Sequence, residues 1–244
     1  MLLTACSDVS PADWIVASAS PWQRLVTFGP SGFAAYARLR YLPDPAYEGQ
    51  SENEADVDDD WWDSDQLAAL LQVLASHTTR PDDCYVCVWE GYADNGGDMP
   101  VDRGEFPGTR GEMPLWYPGD ASPGEDSSAG MPQPSPFAQP GLNPATSPSQ
   151  APVVVPNRAY FLFQGPLADA LGWGDVELWA GQTRLRPLHP AFVWPADHAW
   201  CVASDVDPHW AGIGADTHVI DQLVSDTRLD VVSADPDAEQ PSYR

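Results

Sequence analysis

The spacing Asp205-x-Asp207-x-His209 is the pattern in this sequence that comes nearest to a chemical centre. Alternate side chains of an extended chain point the same way, so two carboxylates and an imidazole would converge there. Oxygen and imidazole donors of that kind can hold a divalent ion. That would make a metal-dependent hydrolase or another small-ligand enzyme. Asp197 and His198 lie just upstream, across an expected strand. The competing reading is structural, because Asp is common in turns and Pro208 interrupts the strand. Cys84-x-x-Cys87 has redox or zinc spacing, but both thiols fall in a strand-like run. Residues three apart on a strand face opposite sides, and no second ligand pair accompanies them, so the pair reads as core packing. Gly212-x-Gly214 is too short for a dinucleotide fingerprint. His77, His189 and His218 stand isolated in the sequence. No nucleophile elbow or phosphate loop is present. No catalytic residue is therefore assigned and no cofactor is expected.

A second candidate is a docking segment. Glu52, Glu54, Asp58, Asp59 and Asp60 run into Trp61 and Trp62, and acidic stretches that carry aromatics suit a basic protein partner. The alternative is a solvated loop with one Trp tucked into the core. The whole chain has 36 acidic residues against 11 basic ones, for a formal charge of −25, and every basic residue is Arg. That balance excludes nucleic acid and anionic membrane surfaces as partners, since both need a basic patch. It favours a basic protein. GC-rich coding, a high-salt surface and mimicry of nucleic acid remain open as origins of the acidity.

No run of about 18 apolar residues offers a membrane span. Leu3-Thr4-Ala5-Cys6 has the look of a lipoprotein cleavage site, with Cys6 as the lipid anchor. Only five residues precede Cys6 and none is basic, so the match reads as chance. Four irregularly spaced cysteines make no disulfide framework, and a reduced, cytoplasmic setting is the expectation.

The elements that must position these residues are short. Trp14-Ile15-Val16 and Leu25-Val26-Thr27-Phe28 read as strands, the second ending at the turn Gly29-Pro30-Ser31-Gly32. Phe33 to Leu42 alternates with period two and reads as the returning strand of a hairpin, with an amphipathic helix as the alternative because its alanines suit either. Leu67, Leu70, Leu71 and Leu74 form one apolar stripe of a helix over 66–77, capped from Asp63-Ser64-Asp65. Cys84–Trp89, Tyr160–Phe163, Ala199–Ala203 and Leu229–Val232 read as strands, Trp210–Gly214 as a short strand or turn, and 167–171 as a short helix. Val219, Ile220, Leu223 and Val224 stripe a second helix that begins at Asp216 or Thr217.

Thirteen of the 26 prolines lie between Pro100 and Pro156. Proline blocks helix and central strand alike, so residues 95–156 are expected to be a disordered Pro/Gly/Ser-rich insert. Residues 1–94 and 157–244 are expected to be two halves of one α+β domain, a mixed or antiparallel sheet under two main helices. An insert extruded from a surface loop costs little, because closure entropy grows only with the logarithm of length.

The block from Trp194 to Asp207, then Ile213-Gly214-Ala215 and Leu229-Asp230-Val231-Val232, resembles an uncharacterised family of high-GC bacteria. The resemblance extends loosely to Gly32–Arg38 and to Asp82–Trp89. Acidity and general plan are also similar to the Smi1/Knr4-like immunity proteins. The likeness implies kinship and no mechanism. The charge, the acidic segment with its aromatics and the absence of a credible catalytic set lead to the expectation of a non-catalytic binding protein, of immunity or antitoxin type.

Overall fold

The computed structural model describes residues 3–55, 63–90, 152–170, 190–204 and 209–244. Its frame is an antiparallel sheet: β1 (Thr4–Ala5), β2 (Ala35–Arg40), β3 (Cys84–Trp89), β4 (Val153–Val155), β5 (Arg158–Gly165), β6 (Phe192–Pro195), β7 (Trp200–Ala203), β8 (Trp210–Ala215) and β9 (Val231–Ser233). The strand order is β1-β5-β3-β6-β7-β8-β2-β9. β4 shares the outer edge of β5 with β1, pairing at Arg158–Tyr160 while β1 pairs at Phe163–Gln164. Every pairing among the described residues is antiparallel. The α+β class is as expected, with an antiparallel rather than a mixed sheet. Strands from both sides of the proline-rich stretch interleave, for β3 lies between β5 and β6.

Period two sorts the side chains onto two faces. Ala37 and Leu39 of β2, Val86 and Val88 of β3, and Ala211 and Ile213 of β8 meet the apolar stripes of α3 (Asp63–Leu74) and α5 (Thr217–Ser225). These are the two expected helices, and Leu67, Leu70, Leu71, Leu74, Val219, Ile220 and Leu223 are all buried there. A 3₁₀ turn over Ala75–His77 continues α3, so the expected end at His77 is met by a tighter helix. Trp200 also lies on this face, and its indole N–H donates to the Leu74 carbonyl at 3.0 Å, fixing the end of α3 to β7.

The opposite face is covered by helices that the sequence does not announce. Residues read as strands form α1 (Asp13–Val16) and α2 (Trp22–Phe28). There is no hairpin between Leu25–Phe28 and β2, because β2 pairs with β8 and β9 instead. Gly29 stops α2 with φ +79°, where a side chain would be strained, and its N–H donates to the Leu25 carbonyl. Ile15 and Leu25 pack with Leu162, Phe192, Trp194 and Cys201. A Cβ at Gly212 would sit 2.0 Å from the Thr27 carbonyl oxygen. Gly212 therefore lets α2 lie directly on β8, which gives Gly212-x-Gly214 a packing role.

The proline-rich stretch, expected to run to residue 156, gives way to a strand before that. Val153–Val155 is strand β4, with Val153 and Val155 buried, and Asn157 (φ +63°) turns the chain into β5. Residues 91–151 lie outside the described residues. The helix at 167–171 is α4 (Leu167–Ala170). Among the described residues no helix is long and apolar enough to cross a membrane. Thr4 and Ala5 pair with β5, and the Cys6 N–H donates to the Leu162 carbonyl at 2.9 Å. Burial, helped by Asp8, pushes the Cys6 thiol up to about 11.

Candidate functional site

Asp205 and Asp207 lie outside the described residues, while His209 immediately precedes β8 and is 8% exposed. Its surroundings come from far away in the sequence. The His209 Nε2 is 3.7 Å from Asp44 Oδ1, beyond hydrogen-bond reach. Tyr243 sets its ring edge-on against the imidazole at 4.7 Å and donates its hydroxyl to the Pro43 carbonyl. Arg38 grips Asp44 in bidentate fashion, at 2.6 and 3.0 Å. Arg40 reaches Asp44 at 3.3 Å and Asp230 at 2.6 Å. Arg38 faces away from Ala37 and Leu39 because of the strand alternation, and its guanidinium lies over the Trp210 ring, 5.5 Å from the centroid.

Burial alone would push the Asp44 carboxyl up, but the hydrogen bonds and charge of Arg38 and Arg40 outweigh it and hold the carboxyl below its ordinary range. Burial pushes His209 down, and the two guanidinium groups act the same way against Asp44. The result is an imidazole biased towards its neutral form beside a closed cluster of two guanidinium groups and two carboxylates. Among the described residues no group of three or more His, Cys, Asp and Glu side chains is placed to hold a metal ion.

Of the docking segment, Glu52 and Glu54 are described and exposed. Asp58, Asp59, Asp60, Trp61 and Trp62 lie outside the described residues. The Glu54 carboxylate serves the local turn, accepting from the Ser51 N–H at 3.0 Å and the Tyr47 hydroxyl at 2.9 Å. Its charge is thus tied to a capping interaction.

The two cysteines of Cys84-x-x-Cys87 point to opposite faces, as their separation requires. Cys84 joins the α3/α5 side and Cys87 the α1/α2 side. Burial raises both thiols, Cys84 to about 12. His77 and His218, isolated in the sequence, come together with ring centroids 5.8 Å apart, where α3 ends and α5 begins. Burial and then the charge of His218 lower His77. His189 lies outside the described residues.

A further site emerges only from the fold. The turn from β6 to β7 places Asp197 and His198 apart. Asp197 accepts from the Thr78 hydroxyl and from the Thr79 N–H and hydroxyl, each at 2.8 Å, and so ties this turn to the exit of α3. These bonds outweigh burial and lower its carboxyl. His198 adopts φ +52°, a region that non-glycine residues rarely use. Its imidazole stacks on Trp14, 4.1 Å between centroids and 13° from parallel. Together with Ser10, Pro11, Asp13, Tyr85 and Ala196, these two rings line a cleft of about 360 Å³. Trp14 and Tyr85 each pack against the fully buried Trp194, at 6.1 and 5.6 Å. Three separate segments build this cleft, so no local spacing points to it. A histidine in a tight turn, where Asn or Gly is the ordinary choice, is the one signal in the sequence.

No protein-family model, curated protein or solved structure matches the chain.

Proposed function

We propose that this chain is a non-catalytic protein-binding module of the cytoplasm, whose acidic surface takes a basic partner protein. The observation that carries this reading is the internal use of its few cations. At least five of the seven described arginines form ion pairs within the chain: Arg24 with Asp237, Arg38 with Asp44, Arg40 with Asp44 and Asp230, Arg80 with Asp83, and Arg228 with Asp226. The surface is left with exposed carboxylates such as Asp13, Asp82, Asp221 and Glu52. On a chain of net charge −25 that excess makes a negative field, which steers cationic partners and hastens their encounter. The four cysteines are free thiols, as suits a reducing compartment.

The competing reading, a metal-dependent hydrolase built on Asp205, Asp207 and His209, is disfavoured by electrostatics. The His209 Nε2 faces Asp44 among two guanidinium groups, and these repel a divalent cation. The test is capture from native lysate on the immobilised full chain at low and moderate salt, read by mass spectrometry, beside metal analysis of the purified protein. A basic protein retained at low salt and released by screening is the expected result. Capture with no excess of basic proteins, or a stoichiometric metal with turnover lost on Asp205→Ala, overturns the reading.

A further inference from the structure

We propose that the cleft between α1, β3 and the β6–β7 turn receives an arginine side chain of the basic partner. This rests on the binding-module reading above and gives it a location.

The aromatic lining of the cleft is rigid. Trp14 and Tyr85 are held from behind by Trp194, which is completely buried. The edge of Phe33 braces Trp14 from a further direction, at 6.2 Å. Aromatic surface fixed before binding loses little conformational entropy when a ligand arrives. His198 keeps its place on Trp14 although its backbone is in the left-handed region. Strain of that kind persists where the surroundings hold it, and such places cluster at ligand sites.

Charge decides the class of ligand. Asp13 lines the cleft. Burial raises the Tyr85 phenol first, and Asp83, Cys6 and Asp8 raise it further, with Arg80 opposing them. Arg80 is itself directed to Asp83, at 3.6 Å. A negative potential over aromatic faces repels an anion and attracts a cation. A planar guanidinium can stack on a ring and at the same time pair with a carboxylate, which an ammonium does less well. The fold uses this contact internally. The Arg158 guanidinium lies 5.9 Å from the Trp22 ring and 5.4 Å from the Trp89 ring, and Arg24 lies over Tyr36 at 5.5 Å. The volume of about 360 Å³ is at the small end of ligand clefts, about 300–1,000 Å³, as suits one side chain.

The test is a two-dimensional amide NMR titration of the full chain with N-acetyl-arginine amide. The uncharged isostere N-acetyl-citrulline amide and tetramethylammonium serve as comparison ligands. The arginine amide is expected to move signals of residues 10, 12–14, 85 and 196–198, with the citrulline amide at least about tenfold weaker. Asp13→Asn should weaken the arginine amide about 3–10-fold, while Asp221→Asn, an exposed carboxylate on α5 beyond the other face of the sheet, should not. Trp14→Ala removes a packed ring and can unfold the chain, so His198→Asn, which suits the left-handed turn, is the second cleft variant. It should weaken binding about 2–5-fold.

Equal effects of Asp13→Asn and Asp221→Asn would reduce the binding to bulk attraction and overturn the proposal. So would shifts that avoid the cleft. Binding of tetramethylammonium with none of the arginine amide would also overturn it, in favour of a free quaternary amine. Lysate capture by the Asp13→Asn chain separates the two levels. If the arginine amide fails but salt-sensitive capture of a basic protein survives, the cleft is wrong and the module reading stands. If both fail, both fall.

Discussion

The Asp44 cluster and the Trp14 cleft use the same materials in opposite ways. Each has a histidine, carboxylates and aromatic rings. Around Asp44, two guanidinium groups answer two carboxylates, Tyr243 covers the histidine, and little is left to face outward. Around Trp14, the carboxylates outnumber the one nearby arginine, and the rings line an open cleft. A His beside an Asp is therefore no guide to a site by itself. Burial and charge balance decide whether such a pair is consumed by the fold or left for a ligand.

The comparison breaks most visibly where it concerns stability. The Arg38 side chain is 6% exposed and its partner Asp44 is 26% exposed. Arg38→Met would leave Asp44 half-buried with only the longer contact to Arg40. Removing one partner of a buried pair costs about 3–5 kcal/mol, and the remaining cation and partial solvation bring the expected loss to about 2–4 kcal/mol. Asp13→Asn, on the exposed side of the cleft, should change stability by less than about 0.5 kcal/mol. Chemical denaturation of the two variants beside the parent chain checks both. A loss under about 1 kcal/mol for Arg38→Met would mean that the cluster behaves as a surface pair, and the contrast with the cleft would go.

Acid offers a second, smaller separation. His209 is lowered from its ordinary value of 6.5 by burial, aided by Arg38 and Arg40 and opposed by Asp44. With the folded value depressed, the unfolded chain binds the proton first as pH falls. The stabilisation is thus complete above 6.5 and lost as pH drops through the folded value. The slope from one such group is at most about 1.4 kcal/mol per pH unit. Asp44 follows the same sign at lower pH, with its contribution present above 3.8 and lost through its depressed folded value. His198 is lowered too, again chiefly by burial, but it stands exposed at the rim. Melting temperature against pH, from 7 down to about 5, should therefore flatten in His209→Asn far more than in His198→Asn. Equal flattening would place the two histidines in equivalent environments and remove the basis for treating one site as closed.

What the sequence made legible follows from length and period. α3 and α5 show full apolar stripes because each completes at least two turns, at 12 and 9 residues. α1 has 4 residues and α2 has 7, too few for a stripe to repeat. Their β-branched and aromatic residues then favour a strand reading. Tertiary packing overrode that preference, since the Gly212 surface of β8 accepts the α2 backbone directly. The opposite facing of Cys84 and Cys87 was legible because strand alternation is local. The Asp44 cluster was not, because the pairing of β2 with β8 and β9 is what brings Arg38 and Arg40 to His209 and to Asp230. Asp197 and His198 adjoin in sequence, yet one binds the α3 exit and the other covers Trp14.

The finest test of the comparison is His198→Asn measured as a stability change. Asn is among the residues that best tolerate φ near +52°, so the backbone should relax by about 0.5–1 kcal/mol. The variant also loses the face of an imidazole on Trp14, a contact of about 0.5–1.5 kcal/mol. The two effects nearly cancel, and the net change should stay within about 0.5–1 kcal/mol of the parent chain in denaturant. The corresponding change in the closed cluster, His209→Asn, removes a buried ring beneath Tyr243 and should cost about 2–3 kcal/mol. Near-neutrality at 198 with a clear loss at 209 means that the His198 ring is spare to the core, held in place for something outside the chain. A loss above about 2 kcal/mol at 198 would make that ring a packing element like its counterpart, and the cleft would be one more part of the core.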